Sequence, residues 1–309
     1  MKRLVCLSAF FLLASSESLC KEMVSIKDNE VWITDSAGGS SKKVTEDHLK
    51  KDSPCICPDG TKIAYYILGR TQVDPVGEVF VIDRTGREIW HGVVRSQEGQ
   101  QCPSILSVEW IDNERLGVCT HANPSVSKYH EISSGRTVRS LYLSGSHSWS
   151  PDRKHLAYGG PIPHFSPGPL GSDYLKIDQA IVFPDKRNDE GRPLAQNKAP
   201  AKHEFTTDFH WSPDSKAVAF CDRIEEKFFV ADKKKMNWVE SPNAACSQDF
   251  LIVASVRGTF SKCRLPFRCD RSKTKIQWKG SGTVSVSTAG KGRSVYFQPD
   301  RFKASVRIE

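Results

Sequence analysis

Four histidines of this chain have side chains that could take part in chemistry. His147, His164, His203 and His210 could bind a metal ion or transfer a proton. A zinc site takes its ligands at short, regular spacings, often with a Cys-x-x-Cys pair. None of these histidines has such a spacing beside a carboxylate, and the chain contains no Cys-x-x-Cys motif. We therefore predict no metal ion and no cofactor, and we expect these histidines on the polar rim of the fold.

Hydrolytic chemistry would need an activated nucleophile or a pair of carboxylates. The nucleophilic serine of an α/β-hydrolase lies in a Gly-x-Ser-x-Gly turn, and this pentapeptide is absent. Glycoside hydrolysis needs two carboxylates that flank the bond to be broken. Glu109 precedes a recurring tryptophan, but the equivalent places elsewhere hold Cys55, Ser148 and His210. The sequence therefore assigns no catalytic residue.

The aspartates that recur along the chain belong to a repeated phrase. Segments 147–158 and 209–220 contain Trp-Ser-Pro-Asp followed by small, β-prone residues, and segments 55–66 and 108–119 are weaker copies. Proline followed by aspartate favours a type I turn, so each copy predicts a tight β-hairpin with its large aromatic residue in the core. Recurrence favours a scaffold role rather than catalysis. The predicted structural residues are Trp110, Trp149, Trp211, Pro58, Asp59, Pro151, Asp152, Pro213 and Asp214.

A second phrase predicts the outer half of each unit. Segments 30–35, 78–83 and 227–232 are alternating strands that end at an aspartate, and a turn and an outer strand follow them. The two phrases together give four antiparallel strands, which is the blade of a β-propeller. Two weaker copies of the first phrase, near Cys246 and Val284, bring the inner hairpins to six.

The predicted fold is therefore all-β, with a single six-bladed β-propeller, although five to seven blades are compatible with the repeats. The chain begins on the second phrase and ends on the first. We expect the C-terminal strands to complete the N-terminal blade, because this joint closes the ring and removes an open sheet edge.

The repeats resemble those of TolB-like β-propellers, which are also called WD-repeat-like propellers. The Trp-Ser-Pro-Asp hairpin, followed by a hydrophobic strand ending in aspartate, carries the resemblance over most of residues 23–309. The same repeat occurs in the propeller domains of prolyl-oligopeptidase relatives. The resemblance implies the fold, but it says little about function because propellers perform many unrelated tasks.

The N-terminus has the pattern of a secretory signal. A basic start at Lys2 and Arg3 precedes an apolar stretch, residues 4–13, and small residues that suit cleavage. We predict a signal peptide over residues 1–20 and a propeller domain over residues 21–309, exported to the periplasm or secreted. A lipoprotein anchored through Cys20 is a less favoured alternative.

An even number of cysteines in an exported chain favours disulfides. Cys263 and Cys269 flank a predicted hairpin tip, which makes them the candidate pair. Cys119 and Cys221 occupy equivalent places in two units, so we do not expect them to bond to each other. The connectivity stays open for the eight cysteines of the mature chain, which are Cys55, Cys57, Cys102, Cys119, Cys221, Cys246, Cys263 and Cys269.

One segment, about residues 159–205, interrupts the repeats. It is rich in proline and glycine at its start, and long loops of a compact fold often carry function. His164, Phe165 and Tyr174 are its candidate binding residues. A tolerated surface insertion explains the segment equally well.

The formal net charge of +8 does not by itself predict nucleic-acid binding. The basic clusters fall at predicted turns, where charge is usually solvated. Residues 262–279 are also basic, but they lack the interleaved aromatic residues that stack on bases. We predict no nucleic-acid partner.

These features favour a monomeric, non-catalytic module of the cell envelope that binds a protein or a peptide. One alternative is a hydrolase or lyase that acts on carbohydrate or peptide at the channel mouth. Another is a structural envelope protein. An acidic cluster at the channel mouth would favour the enzyme, whereas an apolar or mixed groove would favour binding.

Overall fold

The fold is described by a computed structural model. It covers residues 22–35, 39–67, 77–96, 99–102, 104–123, 126–143, 146–160, 174–183, 202–225, 229–232, 237–240, 247–280, 282–288, 291–298 and 303–307. The regular elements of these residues are strands, and no helix occurs among them. The predicted signal peptide lies outside the described residues, as do His164, Phe165 and Cys246.

The strands assemble into antiparallel sheets, six of which we number in chain order. Sheet 1 contains β1 (Glu22–Lys27), β2 (Glu30–Asp35) and β3 (Ser41–Lys43). Sheet 2 contains β4 (Lys51–Ile56), β5 (Lys62–Ile67), β6 (Glu78–Asp83) and β7 (Glu88–Val93). Sheet 3 contains β8 (Ile105–Trp110), β9 (Arg115–Asn123), β10 (Val126–Ser133) and β11 (Arg136–Leu143). Sheet 4 contains β12 (His147–Trp149), β13 (Leu156–Gly159), β14 (Leu175–Ile177) and β15 (Ala180–Phe183).

The remaining strands form two more sheets and one hairpin. Sheet 5 contains β16 (Lys202–Phe205), β17 (His210–Trp211), β18 (Ala217–Glu225), β21 (Ser247–Ser255) and β22 (Phe260–Arg264). The inserted hairpin contains β19 (Phe229–Asp232) and β20 (Asn237–Glu240). Sheet 6 contains β23 (Thr274–Lys279), β24 (Thr283–Thr288), β25 (Lys291–Gln298) and β26 (Lys303–Arg307).

The turn aspartates of the repeated phrase bond locally. Asp59 Oδ1 accepts hydrogen bonds from the backbone N–H and the hydroxyl of Thr61, at 3.0 and 2.6 Å. In the later copies, Asp152 and Asp214 each accept a bond from the serine two residues before, at 2.6 and 2.7 Å. These carboxylates close the turns between first and second strands, and Pro58, Pro151 and Pro213 precede them there.

The tryptophans of the phrase link one sheet to the next. The indole N–H of Trp110 donates to the carbonyl oxygen of Cys55 in sheet 2 at 3.2 Å. Trp211 donates to the Ser148 carbonyl of sheet 4 at 2.9 Å. Trp110, Trp149 and Trp211 are all buried. Each of these indoles therefore satisfies its donor while it packs between sheets, as a buried tryptophan must.

The hydrophobic core lies between the sheets rather than within any one of them. Each of its buried clusters draws side chains from two consecutive sheets, from sheets 1 and 2 through to sheets 5 and 6. In sheet 5, β16 and β17 both pair with β18 and share the first position. The first strands also contact one another, since β4 lies against β1 and β8, and β17 lies against β12 and β23. The sheets thus follow one another side by side with their first strands gathered together.

Sheet 5 differs from the predicted strand order. Residues 227–232 were expected to be its third strand, but β19 pairs with β20 in the inserted hairpin. The third strand is β21, which lies directly against β18 from Ala217↔Ser255 to Glu225↔Ser247. The segment near Cys246 is therefore part of sheet 5 and does not start another inner hairpin. The run Leu251–Ser255 is buried at every position, which suits a central strand with neighbours on both faces.

The end of the chain also differs from the prediction. The first strand of sheet 6 is β23, with Trp278, and the expected inner strand near Val284 is its second strand. Within the described residues, β23 to β26 form one sheet and β1 to β3 another, and no sheet combines the two ends. The structure therefore does not show the predicted joint of N- and C-terminal strands in a single blade.

Candidate functional site

A cavity of about 600 Å³ lies where the first strands of sheets 3 to 6 meet. The tryptophans of three successive sheets form much of its wall, and Glu109 is the one carboxylate among its described lining residues. The lining residues are Glu109, His147, Ser148, Trp149, Ser150, Pro151, Arg153, Phe209, His210, Trp211, Ile276 and Trp278.

Hydrogen bonds from two sheets fix the Glu109 carboxylate. Tyr129 Oη donates to Glu109 Oε1 at 2.8 Å, and His147 Nε2 lies 2.9 Å from the same oxygen. The indole N–H of Trp149 in turn donates to Tyr129 Oη at 2.9 Å. Because this hydroxyl accepts from Trp149, its own proton is directed at Glu109. Both described hydrogen bonds of the carboxylate reach Oε1.

This network keeps a negative charge at the cavity wall. Burial would raise the pKa of the Glu109 carboxyl, but hydrogen bonds from His147 and Tyr129 and the charge of Arg153 hold that pKa below its ordinary value. Burial raises the pKa of Tyr129 well above its ordinary value, so the phenol remains a donor. Glu109 is therefore ionised at neutral pH beside three indole rings.

The aromatic wall is rigidly positioned. The indole N–H of Trp278 donates to the carbonyl oxygen of His210 at 2.8 Å, in the same way as Trp211 donates to Ser148. The ring of His155 stacks on Trp211, with centroids 6.3 Å apart. Positioned aromatic side chains beside one carboxylate suit a ligand that has a cationic group next to an apolar one.

The structure separates the histidines that the sequence grouped together. His147 and His210 line the cavity, and burial lowers the pKa of His210 although nearby Asp208 opposes this. His203 Nδ1 instead lies 2.7 Å from Asp222 Oδ2 in sheet 5. Among the described residues, no group of three or more His, Cys, Asp and Glu side chains could hold a metal ion.

Gly117 gives Tyr129 the space to reach Glu109. A Cβ atom at position 117 would lie 1.7 Å from Tyr129 Oη. We expect Gly117→Ala to displace the hydroxyl and to lower the free energy of unfolding by about 1–3 kcal/mol, as overpacking does. Gly39→Ala is the control, because its Cβ would meet nothing closer than 3.6 Å. Urea unfolding of both variants measures this, and equal stabilities would contradict the close packing of Gly117 and Tyr129.

A second cavity, of about 660 Å³, lies beside sheet 5 and is lined by Asp249, Phe267 and Arg268 among others. Asp249 is buried, and its carboxylate accepts hydrogen bonds from Arg223, Arg268 and the backbone N–H of Cys269. These bonds hold the segment that follows β22 against β18 and β21.

The two cysteines of the predicted pair have different neighbours, and both are thiols in the structure. Cys263 lies in β22 opposite Leu251, whereas the backbone of Cys269 bonds with Arg223 of β18 and Asp249 of β21. The short spacing of Cys263 and Cys269 suggested a hairpin tip, but the chain between them turns away from β22 and crosses to β18.

Tyr174 is the one loop candidate that the structure describes. Its carbonyl oxygen accepts a hydrogen bond from the N–H of Gly160 at 2.8 Å, and Lys176 Nζ lies 5.7 Å from its ring centroid. A Cβ on Gly160 would overlap the ring, so the ring packs directly on this glycine. Tyr174 therefore borders sheet 4, and it is not among the lining residues of either cavity.

The sequence pointed to Glu109 and His147 separately, but it did not indicate Tyr129 or Trp278. Tyr129 lies in the third strand of sheet 3 and carries no motif. Trp278 was missed because β23 lacks the Ser-Pro-Asp turn. Ile276 and Trp278 are two residues apart, and this spacing predicts that both lie on one apolar face of a strand.

Solved structures that resemble this chain include several with β-propellers. A eukaryotic initiation factor matches with 10% identity over 93% of this chain and 62% of its own, at a TM-score of 0.50. The β-propeller domain of the Trilobed protease from Pyrococcus furiosus matches with 13% identity over 92% and 79%, at 0.43. TolB from Acinetobacter baumannii matches with 15% identity over 90% and 59%, at 0.31.

These structures include the TolB proteins that the sequence resembles, but identities this low inform on the fold alone. No protein-family model matches the chain. No curated protein matches its sequence. In the part of the chain that the structure describes, no helix is long and apolar enough to cross a membrane.

Proposed function

We propose that this chain is a six-bladed β-propeller, exported to the periplasm or secreted, that binds a peptide segment without catalysis. Sheets 1 to 6 supply the blades, and residues 1–20 supply the signal peptide. The order of the sheets and the shared cores between consecutive sheets support this arrangement. The gathered first strands then surround the central channel.

The composition of the cavity carries the binding proposal. Among the described residues its wall is mixed, with three tryptophans, two histidines, Arg153 and one carboxylate, that of Glu109. A glycoside hydrolase would need a second carboxylate across the cavity. Ser150 is buried, and its hydroxyl donates to Asp152 at 2.6 Å and accepts from the His155 N–H at 3.0 Å, so the hydroxyl oxygen is held within the turn and is not presented to a ligand. This mixed wall favours binding over hydrolysis.

The ligand that fits this wall is a peptide with a cationic group beside an apolar side chain. The ammonium of a lysine or of a free N-terminus would pair with Glu109 through Oε2, since Tyr129 and His147 both bond to Oε1. The apolar side chain would lie on the indole rings of Trp211 and Trp278. Arg153 would accommodate a carbonyl or carboxylate oxygen of the same peptide.

Titration of a library of short synthetic peptides, followed by tryptophan fluorescence, tests this function. We expect binding by peptides with a lysine or a free N-terminus, and acetylation of that amine should weaken it. Glu109→Gln should weaken binding about 10- to 100-fold, since a charged hydrogen bond contributes about 1.5–3 kcal/mol. Glu114→Gln is the control, because Glu114 is exposed and absent from the cavity wall.

Two results would overturn the proposal. Unchanged binding by Glu109→Gln would show that the ligand binds to another surface. A folded chain that binds no peptide in the library would favour a structural role, and peptide cleavage that depends on Glu109 or His147 would favour an enzyme.

A further inference from the structure

Sheet 5 and the segment after it contain two buried thiols that share one core. Cys221 lies in β18 and Cys269 follows β22, and their exposed fractions are 0% and 2%. Both side chains lie in the buried core between sheets 5 and 6, where each influences the pKa of the other. Two cysteines that meet in one core can reach the separation of a disulfide through small side-chain rotations.

The chain around Cys269 is held in place on both sides of the sulfur. The backbone N–H of Cys269 donates to Asp249 Oδ2 at 2.5 Å, and its carbonyl oxygen accepts from Arg223 Nη2 at 2.8 Å. Arg223 is two residues from Cys221 on the same strand, and Asp249 lies opposite Arg223 in β21. The position of Cys269 relative to Cys221 is therefore part of a fixed, charge-paired arrangement.

We propose that Cys221 and Cys269 form a disulfide when the chain folds in the presence of a disulfide oxidant such as oxidised glutathione. This site is independent of the peptide-binding cavity. The bond would join β18 to the segment after β22 and would close a loop that contains the inserted hairpin, β21 and β22. It would stabilise the fold because it restricts the unfolded chain.

The exchange is balanced in atoms and electrons. The Cys269 thiolate attacks one sulfur of glutathione disulfide, which forms a mixed disulfide and releases one glutathione as its thiol. Cys221 then loses its proton and attacks the Cys269 sulfur, and the second glutathione leaves with that proton. The two cysteines are oxidised by two electrons, and glutathione disulfide is reduced to two thiols.

Peptide mapping tests this pairing directly. The purified full chain is unfolded, refolded with reduced and oxidised glutathione, alkylated and digested with trypsin. Cys221, Cys263 and Cys269 fall in separate tryptic peptides, 217–223, 263–264 and 269–271. We expect a linked peptide of mass 217–223 plus 269–271, which disappears on reduction. A Cys263–Cys269 linkage, or alkylation of both Cys221 and Cys269 in the folded product, would overturn the proposal.

Matched variants distinguish the loss of this disulfide from the effect of replacing any buried cysteine. Cys119 is the control for Cys221, because it occupies the equivalent place in β9 and is buried, but the described core around it contains no second cysteine. We expect reduction to lower the melting temperature of the wild type and of Cys119→Ser by several degrees. Reduction should not change that of Cys269→Ser. If it lowers the melting temperature of Cys269→Ser equally, the stabilising disulfide lies elsewhere and the proposal fails.

Discussion

Trp110→Ala is expected to lower the free energy of unfolding by about 3–5 kcal/mol, the usual cost of replacing a buried tryptophan with alanine. Only 7% of the side chain is exposed. It packs in the core between sheets 2 and 3 with Cys57 and Leu116, and its N–H reaches the Cys55 carbonyl of the preceding sheet. The substitution therefore removes both apolar contact and a bond between sheets.

Urea unfolding measures this loss, and two further variants identify its cause. Trp110→Phe keeps much of the apolar contact but loses the hydrogen bond. We therefore expect it to lower the free energy of unfolding by about 1–2 kcal/mol. Trp32 is the control, because it is partly exposed and its N–H donates to Lys27 within the same hairpin at 3.2 Å. Trp32→Ala should cost about 1 kcal/mol or less. Equal costs for Trp110→Ala and Trp32→Ala would contradict the view that this tryptophan joins the sheets.

Asp249→Ala should also lower the free energy of unfolding by about 3–5 kcal/mol, because it removes one partner of a buried charge pair. The Asp249 side chain has no exposed surface, and its two oxygens lie 3.0 and 3.2 Å from Nε and Nη2 of Arg223. Loss of the carboxylate leaves Nε of Arg223 and the buried N–H of Cys269 without an acceptor.

Glu204→Gln is the matched control for Asp249. Glu204 Oε2 lies 3.5 Å from Nη1 of the same Arg223, but 48% of its side chain is exposed. An exposed ion pair contributes about 0–1 kcal/mol, so this variant should unfold almost like the wild type. Thermal and urea unfolding of both variants give the comparison. A small loss in Asp249→Ala would show that the Arg223 side chain is satisfied without the carboxylate.

The part of the fold that the sequence predicted follows from local chemistry. The Trp-Ser-Pro-Asp turns form as expected because proline sets the backbone and the aspartate and serine side chains bond within the turn. The four-stranded antiparallel sheets that follow from these hairpins are confirmed for residues 51–183. The backbone restriction by proline and the side-chain bonds of the turn both act over a few residues, so the sequence pattern is sufficient to predict them.

The strand order of sheet 5 could not be predicted because it depends on competition between segments. Residues 229–232 and 247–255 both have a hydrophobic strand pattern. The longer run at Leu251 packs against β18 and forms part of two cores. The shorter segment becomes the inserted hairpin. A periodic pattern shows that a strand will form, but it does not show which neighbour it will choose.

The site was only partly predictable for a similar reason. Glu109 attracted notice by its place before a recurring tryptophan, but its partners come from the third strand of its own sheet and the first strand of the next. Tyr129 reaches Glu109 only because Gly117 leaves space beneath the ring. The meeting of Cys221 and Cys269 in one core likewise depends on how a turn crosses the sheet, which spacing along the chain does not reveal.

A crystal structure of the chain with a bound peptide tests most directly whether Glu109 holds the ligand. The peptide would be the tightest binder of the synthetic library. We predict its ammonium group within hydrogen-bonding distance of Glu109 and an apolar side chain against Trp211 or Trp278. A peptide found in the cavity beside Asp249, or along the edge of an outer strand, would contradict binding through Glu109.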